Sequence, residues 1–328
     1  MRIGVIGTGE IALLHSEALR RAGTGFSAAY DVNADALSGF CRATGAKPLA
    51  TAEELLTDNT VDTVFICTRH DSHVPLAVRA LAAGKRVFME KPLALSLVEA
   101  QPLLDMTETD GRLFVGYNMR HTPSMHTFKR LLCAHGAQIE SFRANMTAAP
   151  FMEGWASDPE TGGGVLVCEG SHLFDLISYT LGMCIEAVMA VTSRVRVGAE
   201  RSPDLAALLL RLDNGAVGTL LLHDRGHYAF HVEPGGKMVN LTVYGPQGTY
   251  SADAYGSLRY GDEAGYHEER SVKGTDRVRD WGYEEQARLF VSGGEGLCTL
   301  RQAARVAAVA DAAAKSACIG QWVQVKRI

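Results

Sequence analysis

Residues 5–12 read VIGTGEIA, an apolar strand end running into G-x-G-x-x-A. No other stretch limits the fold as much. Gly7 permits a tight turn, Gly9 lets a pyrophosphate approach the backbone, and Ala12 lets the following helix lie close to the strand. Gly7, Thr8, Gly9, Glu10 and Ile11 therefore form a candidate phosphate cradle, with the helix N-terminus facing the anion. The next apolar run, FSAAYD, ends at Asp31, about 22 residues beyond Gly9. That interval suits an acid that hydrogen-bonds the adenosine ribose hydroxyls. The competing reading is that Asp31 only caps the next helix. A carboxylate there repels a 2′-phosphate, so NAD is the expected cofactor and NADP the less favoured one.

The alternation continues through RIGVIG, FSAAYD, VDTVFIC, KRVFME and RLFVGYN, with helical segments at 10–22, 34–44, 72–83 and 96–107 between them. Continuous apolar strands alternating with helices predict a parallel sheet covered on both faces. Past Asn118 the rhythm changes. Two strands flank Asp213-Asn214-Gly215, a strong hairpin turn, and two more flank Pro246-Gln247-Gly248. Further strands are expected at 139–146, 187–197, 257–260 and 269–272, then a helix at 300–317 and a terminal strand at 321–325. The fold class is α/β. A Rossmann dinucleotide-binding domain over residues 1–118 precedes a substrate-binding and oligomerisation domain over 119–328, an α/β domain with a large open, mostly antiparallel sheet.

The totals exclude several functions. The chain has 328 residues and a formal charge of −5, with no Lys/Arg-rich block, so nucleic acid is not an expected partner. The longest apolar stretch, 205–222, is broken by Arg211, Asp213 and Asn214, so no membrane span is expected. Seven scattered cysteines read as reduced thiols of a cytoplasmic protein. Met1 leads directly into a strand, which argues against a signal peptide. The loop CTRHDSHVP, 67–75, offers His70 and His73 to a metal, but no third ligand stands at a zinc spacing, so no metal is expected. The loop reads instead as a cofactor edge, contributing Thr68 and His73.

KRVFMEKPLALS places Glu90, Lys91 and Pro92 at the carboxyl end of a buried strand, where open α/β sheets bind ligands. With VGYNMRHTPSM and GGGVLVCEGSHLFDL following in order, the chain resembles the Gfo/Idh/MocA family, the relatives of glucose–fructose oxidoreductase and inositol dehydrogenase, nearly end to end. The resemblance implies that Glu90 and Lys91 lie beside the nicotinamide ribose and that Lys91 points at the substrate. Pro92 then fixes the turn and admits a cis bond. The alternative is a surface ion pair between Glu90 and Lys91. The resemblance also implies that Asn118 and Arg120 help hold nicotinamide or substrate, and that His172 is the active-site histidine.

The family's usual Asp four residues before that histidine is Cys168 here. On an α-helix turning about 100° per residue, Cys168, His172 and Asp175 fall near 0°, 40° and −20°, and Glu169 near 100°. Either Glu169 does the work of the absent Asp, or Cys168 has inherited it. By intrinsic pKa His172 is the best general base; the plainer alternative is a buried histidine satisfied by Asp175. Trp155, in the loop 151–163, either stacks on a sugar ring or packs. His223 and Asp224 are further candidates at a strand end. The expected activity is an NAD(P)-dependent oxidoreductase, a dehydrogenase that moves hydride between nicotinamide and a secondary alcohol of a sugar, sugar derivative or inositol-type polyol. Two alternatives remain: a non-redox, glycosidase-like enzyme with tightly bound NAD, and a catalytically inactive NAD-binding regulator. The broad face of an open sheet, and the family habit, point to a homodimer or homotetramer.

Overall fold

The computed structural model describes residues 1–106, 109, 111–148, 154–195, 202–223, 237–270 and 276–328. The chain divides into two units, Met1–Asn118 with Asp276–Ala304, and Met119–Thr275 with Arg305–Ile328. In chain order the first unit contains β1 (Ile3–Ile6), α1 (Glu10–Arg21), β2 (Phe26–Tyr30), α2 (Ala34–Thr44), β3 (Lys47–Pro48), α3 (Ala52–Thr57), β4 (Thr63–Ile66), α4 (His73–Ala82), β5 (Arg86–Glu90), α5 (Leu97–Leu104) and β6 (Leu113–Gly116). The second contains α6 (Pro123–Ala134), β7 (Ser141–Ala148), α7 (Gly170–Leu181), β8 (Ile185–Ser193), β9 (Leu205–Leu212), β10 (Val217–His223), β11 (Lys237–Gly245), β12 (Gly248–Asp253), β13 (Ser257–Asp262) and β14 (Gly265–Arg270). The chain then returns to the first unit as α8 (Arg277–Asp280), α9 (Tyr283–Ser292) and β15 (Cys298–Thr299). Helix α10 (Leu300–Ile319) carries it back to the second unit, which closes with β16 (Val323–Gln324).

The first sheet has the order β15-β6-β5-β4-β1-β2-β3. Its strands are parallel except for β15, which pairs antiparallel with β6. Strands β1 and β4 are buried at every position, as a sheet covered on both faces demands. Ile6, Ile66, Met89 and Val115 stand in one row across four strands. The residues that follow them, Gly7, Cys67, Glu90 and Gly116, therefore share the carboxyl edge. The strand order reverses on either side of β1, which makes this edge a topological switch point. Helix α2 is capped by Asn33, whose side chain accepts from Asp35 N and Ala36 N, and it stops at Gly45 in the left-handed region. Asn33, not Asp31, is thus the helix cap.

The second sheet has the order β14-β13-β12-β11-β7-β10-β9-β8-β16, with β7 and β10 parallel and the other pairs antiparallel. Both expected hairpins form, β9 with β10 and β11 with β12. One face carries α6 and α7, which pack on β12 and β7. Alternate residues bury Leu208, Leu210, Leu220 and Leu222 while exposing Leu209 and Leu221. Among the described residues, no helix is long and apolar enough to cross a membrane.

Several expectations are corrected. The single division into 1–118 and 119–328 misses the return of residues 276–304 to the first unit. That return is made by β15 pairing with β6, and by α9 packing Phe290 into the aromatic core of Phe65 and Phe88. Strand β3 and helix α3 were not anticipated, because two exposed residues and a six-residue helix carry too little periodicity. Helix α5 ends at Leu104, and the strand expected at 269–272 lies earlier, at Gly265–Arg270; residues 271 and 272 are outside the described ones.

Candidate active site

The turn after β1 has the form its glycines require. Gly7 has φ +88°, and a Cβ there would meet Cys67 O at 2.5 Å. At Gly9 a Cβ would meet nothing within 4 Å. Gly9 is also the N-cap of α1 and offers no side chain to the first-turn N–H groups. Glycine backbone, open approach and helix N-terminus together suit a pyrophosphate. Asp31 is tied to this turn: its Oδ2 accepts from Thr8 N at 2.6 Å and Thr8 Oγ1 at 3.0 Å, while Oδ1 accepts from Asn33 N at 2.8 Å. An acid fixed at the end of β2 beside the glycine turn suits the adenosine ribose. These residues fit a dinucleotide.

Farther along the edge, Lys91 follows β5 and is half-buried, and its bond to Pro92 is cis. Glu90 is not a surface partner of Lys91. Its carboxylate is buried, with Oε1 2.6 Å from His15 Nε2 and Oε2 accepting from Lys91 N at 3.1 Å. His73, expected at the cofactor, turns both ring nitrogens to carbonyl oxygens, Nδ1 to Pro92 O at 2.8 Å and Nε2 to Thr68 O at 3.2 Å. Burial pushes His73 below the usual histidine range. A neutral ring has one N–H, and the shorter contact assigns it to Nδ1. Thr68 Oγ1 accepts from Ser72 Oγ at 2.7 Å. Burial, with the nearby charge of Glu90, pushes the Cys67 thiol well up, which removes it as a nucleophile.

The returning segment reaches the same unit's site residues. Asn118 Nδ2 donates to Trp281 O at 2.9 Å, so one of the two N–H groups of an amide expected on nicotinamide is used by the protein. Arg277 donates to Glu10 Oε1 in the first turn of α1, and its guanidinium lies 4.3 Å from the centre of the Trp281 ring. Glu10, expected at the cofactor, therefore also has a protein partner. Arg21 of α1 binds Asp276 and Glu284. None of Arg277, Trp281 and His15 was singled out from the sequence. The first two stand too far along the chain for a local pattern. His15 had a signal: it is the polar member of the buried face Ala12, His15, Ala18 and Leu19.

In the second unit, Gly164 has φ +65°, and a Cβ there would meet Ser202 Cβ and Oγ at 2.8 Å. It opens a π-helical turn, Val165–Glu169, that runs into α7. The step of about 100° per residue therefore fails through Glu169, because a π turn takes more residues than an α turn. Cys168, Glu169, His172 and Asp175 are all buried, with Cys168 Sγ 4.0 Å from Glu169 Oε1. Arg120, expected on substrate, makes a bidentate pair with Asp175: Nε donates to Oδ2 at 2.7 Å and Nη2 donates to Oδ1. Its guanidinium also lies 4.6 Å from the Tyr179 ring centre, and Lys129 Nζ lies 3.4 Å from it. Burial and Arg120 push the Lys129 ammonium down. Trp155 is 41% exposed, in the short turn Gly154–Ser157. His223 ends β10; Asp224 and residues 151–153 lie outside the described residues.

Known proteins share the fold of both units. Residues 1–117 match the Gfo/Idh/MocA oxidoreductase family, NAD-binding Rossmann fold, and residues 126–325 match that family's C-terminal α/β domain. The chain is similar to the myo-inositol 2-dehydrogenase of Thermotoga maritima, 29% identical over 259 residues, 77% of this chain and 75% of that protein. Among solved structures, GenD2 from gentamicin A biosynthesis, in complex with NAD, aligns with a TM-score of 0.85 at 26% identity, over 99% of this chain and 96% of that one. Levoglucosan dehydrogenase in complex with NADH aligns with a TM-score of 0.87 over 100% of both chains at 20% identity, a likeness of fold. With the glycine turn, its acid and both family domains in place, the chain belongs to the Gfo/Idh/MocA oxidoreductases, an NAD-binding Rossmann domain followed by the family's α/β domain.

Proposed function

We propose that this protein is a dehydrogenase that oxidises a secondary alcohol of a sugar, sugar derivative or inositol-type polyol, with NAD preferred over NADP. The observation that carries this reading is Lys91 at the carboxyl end of β5, on the same sheet edge as the Gly7–Gly9 turn. The similarity to a myo-inositol 2-dehydrogenase supports the polyol class. NAD, when bound, supplies the hydride acceptor. His172 takes the hydroxyl proton as general base. The Lys91 ammonium polarises the hydroxyl oxygen and stabilises the charge that develops on it. Glu169, buried on the turn before α7, orients His172 or relays its proton; Cys168 is the other candidate for that role, although a thiol carries protons poorly near neutral pH. Arg120 and Asp175 hold the segment after Asn118 against α7. None of the seven cysteines is in a disulfide, which suits the cytoplasm.

The test is an absorbance screen of myo-inositol, other polyols and nucleotide sugars with NAD and with NADP. Net reduction of NAD by at least one polyol or sugar is expected. Cofactor that copurifies but undergoes no net reduction with any of them would favour the non-redox enzyme. NAD binding without any turnover would favour the regulator.

A further inference from the structure

The backbone on either side of the Lys91–Pro92 bond is tied to a buried histidine of the first unit, Lys91 N through Glu90 to His15 and Pro92 O directly to His73. On one side, Lys91 N donates to Glu90 Oε2 at 3.1 Å, and Glu90 Oε1 lies 2.6 Å from His15 Nε2. On the other, Pro92 O lies 2.8 Å from His73 Nδ1. His15 belongs to α1, the helix that opens at the glycine turn, and His73 opens α4. Neither histidine can swing away. His15 is 1% exposed and meets Phe65, Phe88 and Tyr283 edge-on at centroid distances of 5.5, 5.2 and 5.2 Å, and His73 is 0% exposed. Gly116 on β6 leaves room for the carboxylate, since a Cβ there would meet Glu90 Oε1 at 2.9 Å.

A histidine on the apolar face of α1 is not what packing alone selects. Burying an imidazole and a carboxylate costs desolvation that an aliphatic pair of similar volume avoids. What the polar pair adds is direction: it joins the helix beneath the pyrophosphate site to the backbone of one lysine. We propose that His15 is a positioning residue which, through Glu90, sets the backbone at Lys91, with His73 holding the following carbonyl. The proposal rests on the reading that Lys91 works beside the nicotinamide end of the cofactor.

The test compares two probes on the full chain. NADH carries the nicotinamide ring and ADP-ribose lacks it, so the ratio of their dissociation constants isolates the nicotinamide end. His15→Leu should leave ADP-ribose affinity within about twofold and weaken NADH about tenfold, the scale of losing one hydrogen bond to a charged group. His15→Gln, which can present an N–H near the place of Nε2, should recover most of the NADH affinity. His15→Met, closer in volume to histidine, replaces His15→Leu if that variant does not fold. If the aliphatic variant weakens both probes alike, or lowers the thermal midpoint while the ratio stays unchanged, His15 is a packing residue and the proposal is overturned. A wild-type ratio near one, also unmoved by Lys91→Met, overturns instead the placement of Lys91 on which it rests.

Discussion

Asp31 is held by the same turn it is proposed to serve, through Thr8 N and Thr8 Oγ1. Its charge should therefore stand at a fixed place when a ribose approaches. Asp31→Ala is expected to weaken NAD and to narrow the preference over NADP, read from the dissociation constants of both; a wild type that prefers NADP would remove the ribose assignment. Lys91→Met and His172→Ala should each cost turnover about 100- to 10,000-fold while ADP-ribose affinity stays nearly that of the wild type, because neither residue grips adenosine or pyrophosphate. Wild-type turnover in His172→Ala would shift the base to Lys91 or to a second-sheet residue such as His223. His73 adds a pH dependence. Burial lowers its pKa in the folded chain, so between the usual histidine value, about 6.5, and the lower folded value the unfolded chain binds more protons. Its contribution to stability is present above about pH 6.5 and is lost as the pH falls. The urea midpoint should drop from about pH 7 to about pH 5, and drop less in His73→Asn, whose amide N–H can replace Nδ1 without titrating. Equal slopes in the two proteins would show that His73 is not the group responsible.

At the scale of elements, the returning segment is an integral layer of the first unit. Phe290 of α9 is fully buried, 5.2 Å from Phe65 and 5.3 Å from Phe88, and the Arg86 guanidinium lies 4.1 Å from its ring centre. Phe290→Ala should destabilise the first unit by about 3–5 kcal/mol, the cost of emptying an aromatic site in a packed core. Chemical denaturation measures it, and a loss below about 1 kcal/mol would mean that the segment is only loosely attached. The alternating strands and helices of the first 118 residues, helix α10 and both hairpins were legible, because periods of 2 and 3.6 and the turn residues Asn214-Gly215 act locally, whereas α6, α9 and the short strands β3 and β15 were not anticipated. The π turn before α7 was not. It gives the same apolar pattern as an α-helix, and only Gly163 and Gly164 at its start hint at unusual backbone.

Across the whole molecule, the second sheet has one face with helices on it. The other exposes Val191 at 64%, Leu209 at 46%, Val217 at 53% and Leu221 at 42% on adjacent strands β8, β9 and β10. Contiguous apolar side chains on an open sheet are an interaction surface rather than scattered exposure, and a second copy of the chain can cover them through a symmetric contact. We expect a dimer or tetramer by light scattering, and dissociation when Leu209 and Leu221 are both changed to Arg. A wild type that is monomeric at high concentration would reject this.

The sequence by itself determined the class of fold and the cofactor edge, and through the family resemblance it offered Lys91, His172 and Glu169 as candidates. Each depends on residues close together in the chain: a glycine turn, a strand end, one helix. Only the tertiary structure decided what those residues are tied to. His15 meets Glu90 across 75 residues, Arg120 meets Asp175 across 55, Asn118 meets Trp281 across 163 and Arg277 meets Glu10 across 267. The physical reason is that a hydrophobic period records which face of an element is buried, whereas a polar side chain's partner depends on which distant element closes against that face. The hydrogen bonds of Glu90, Asn118 and Arg120 to the protein could therefore be read only once the sheets had formed.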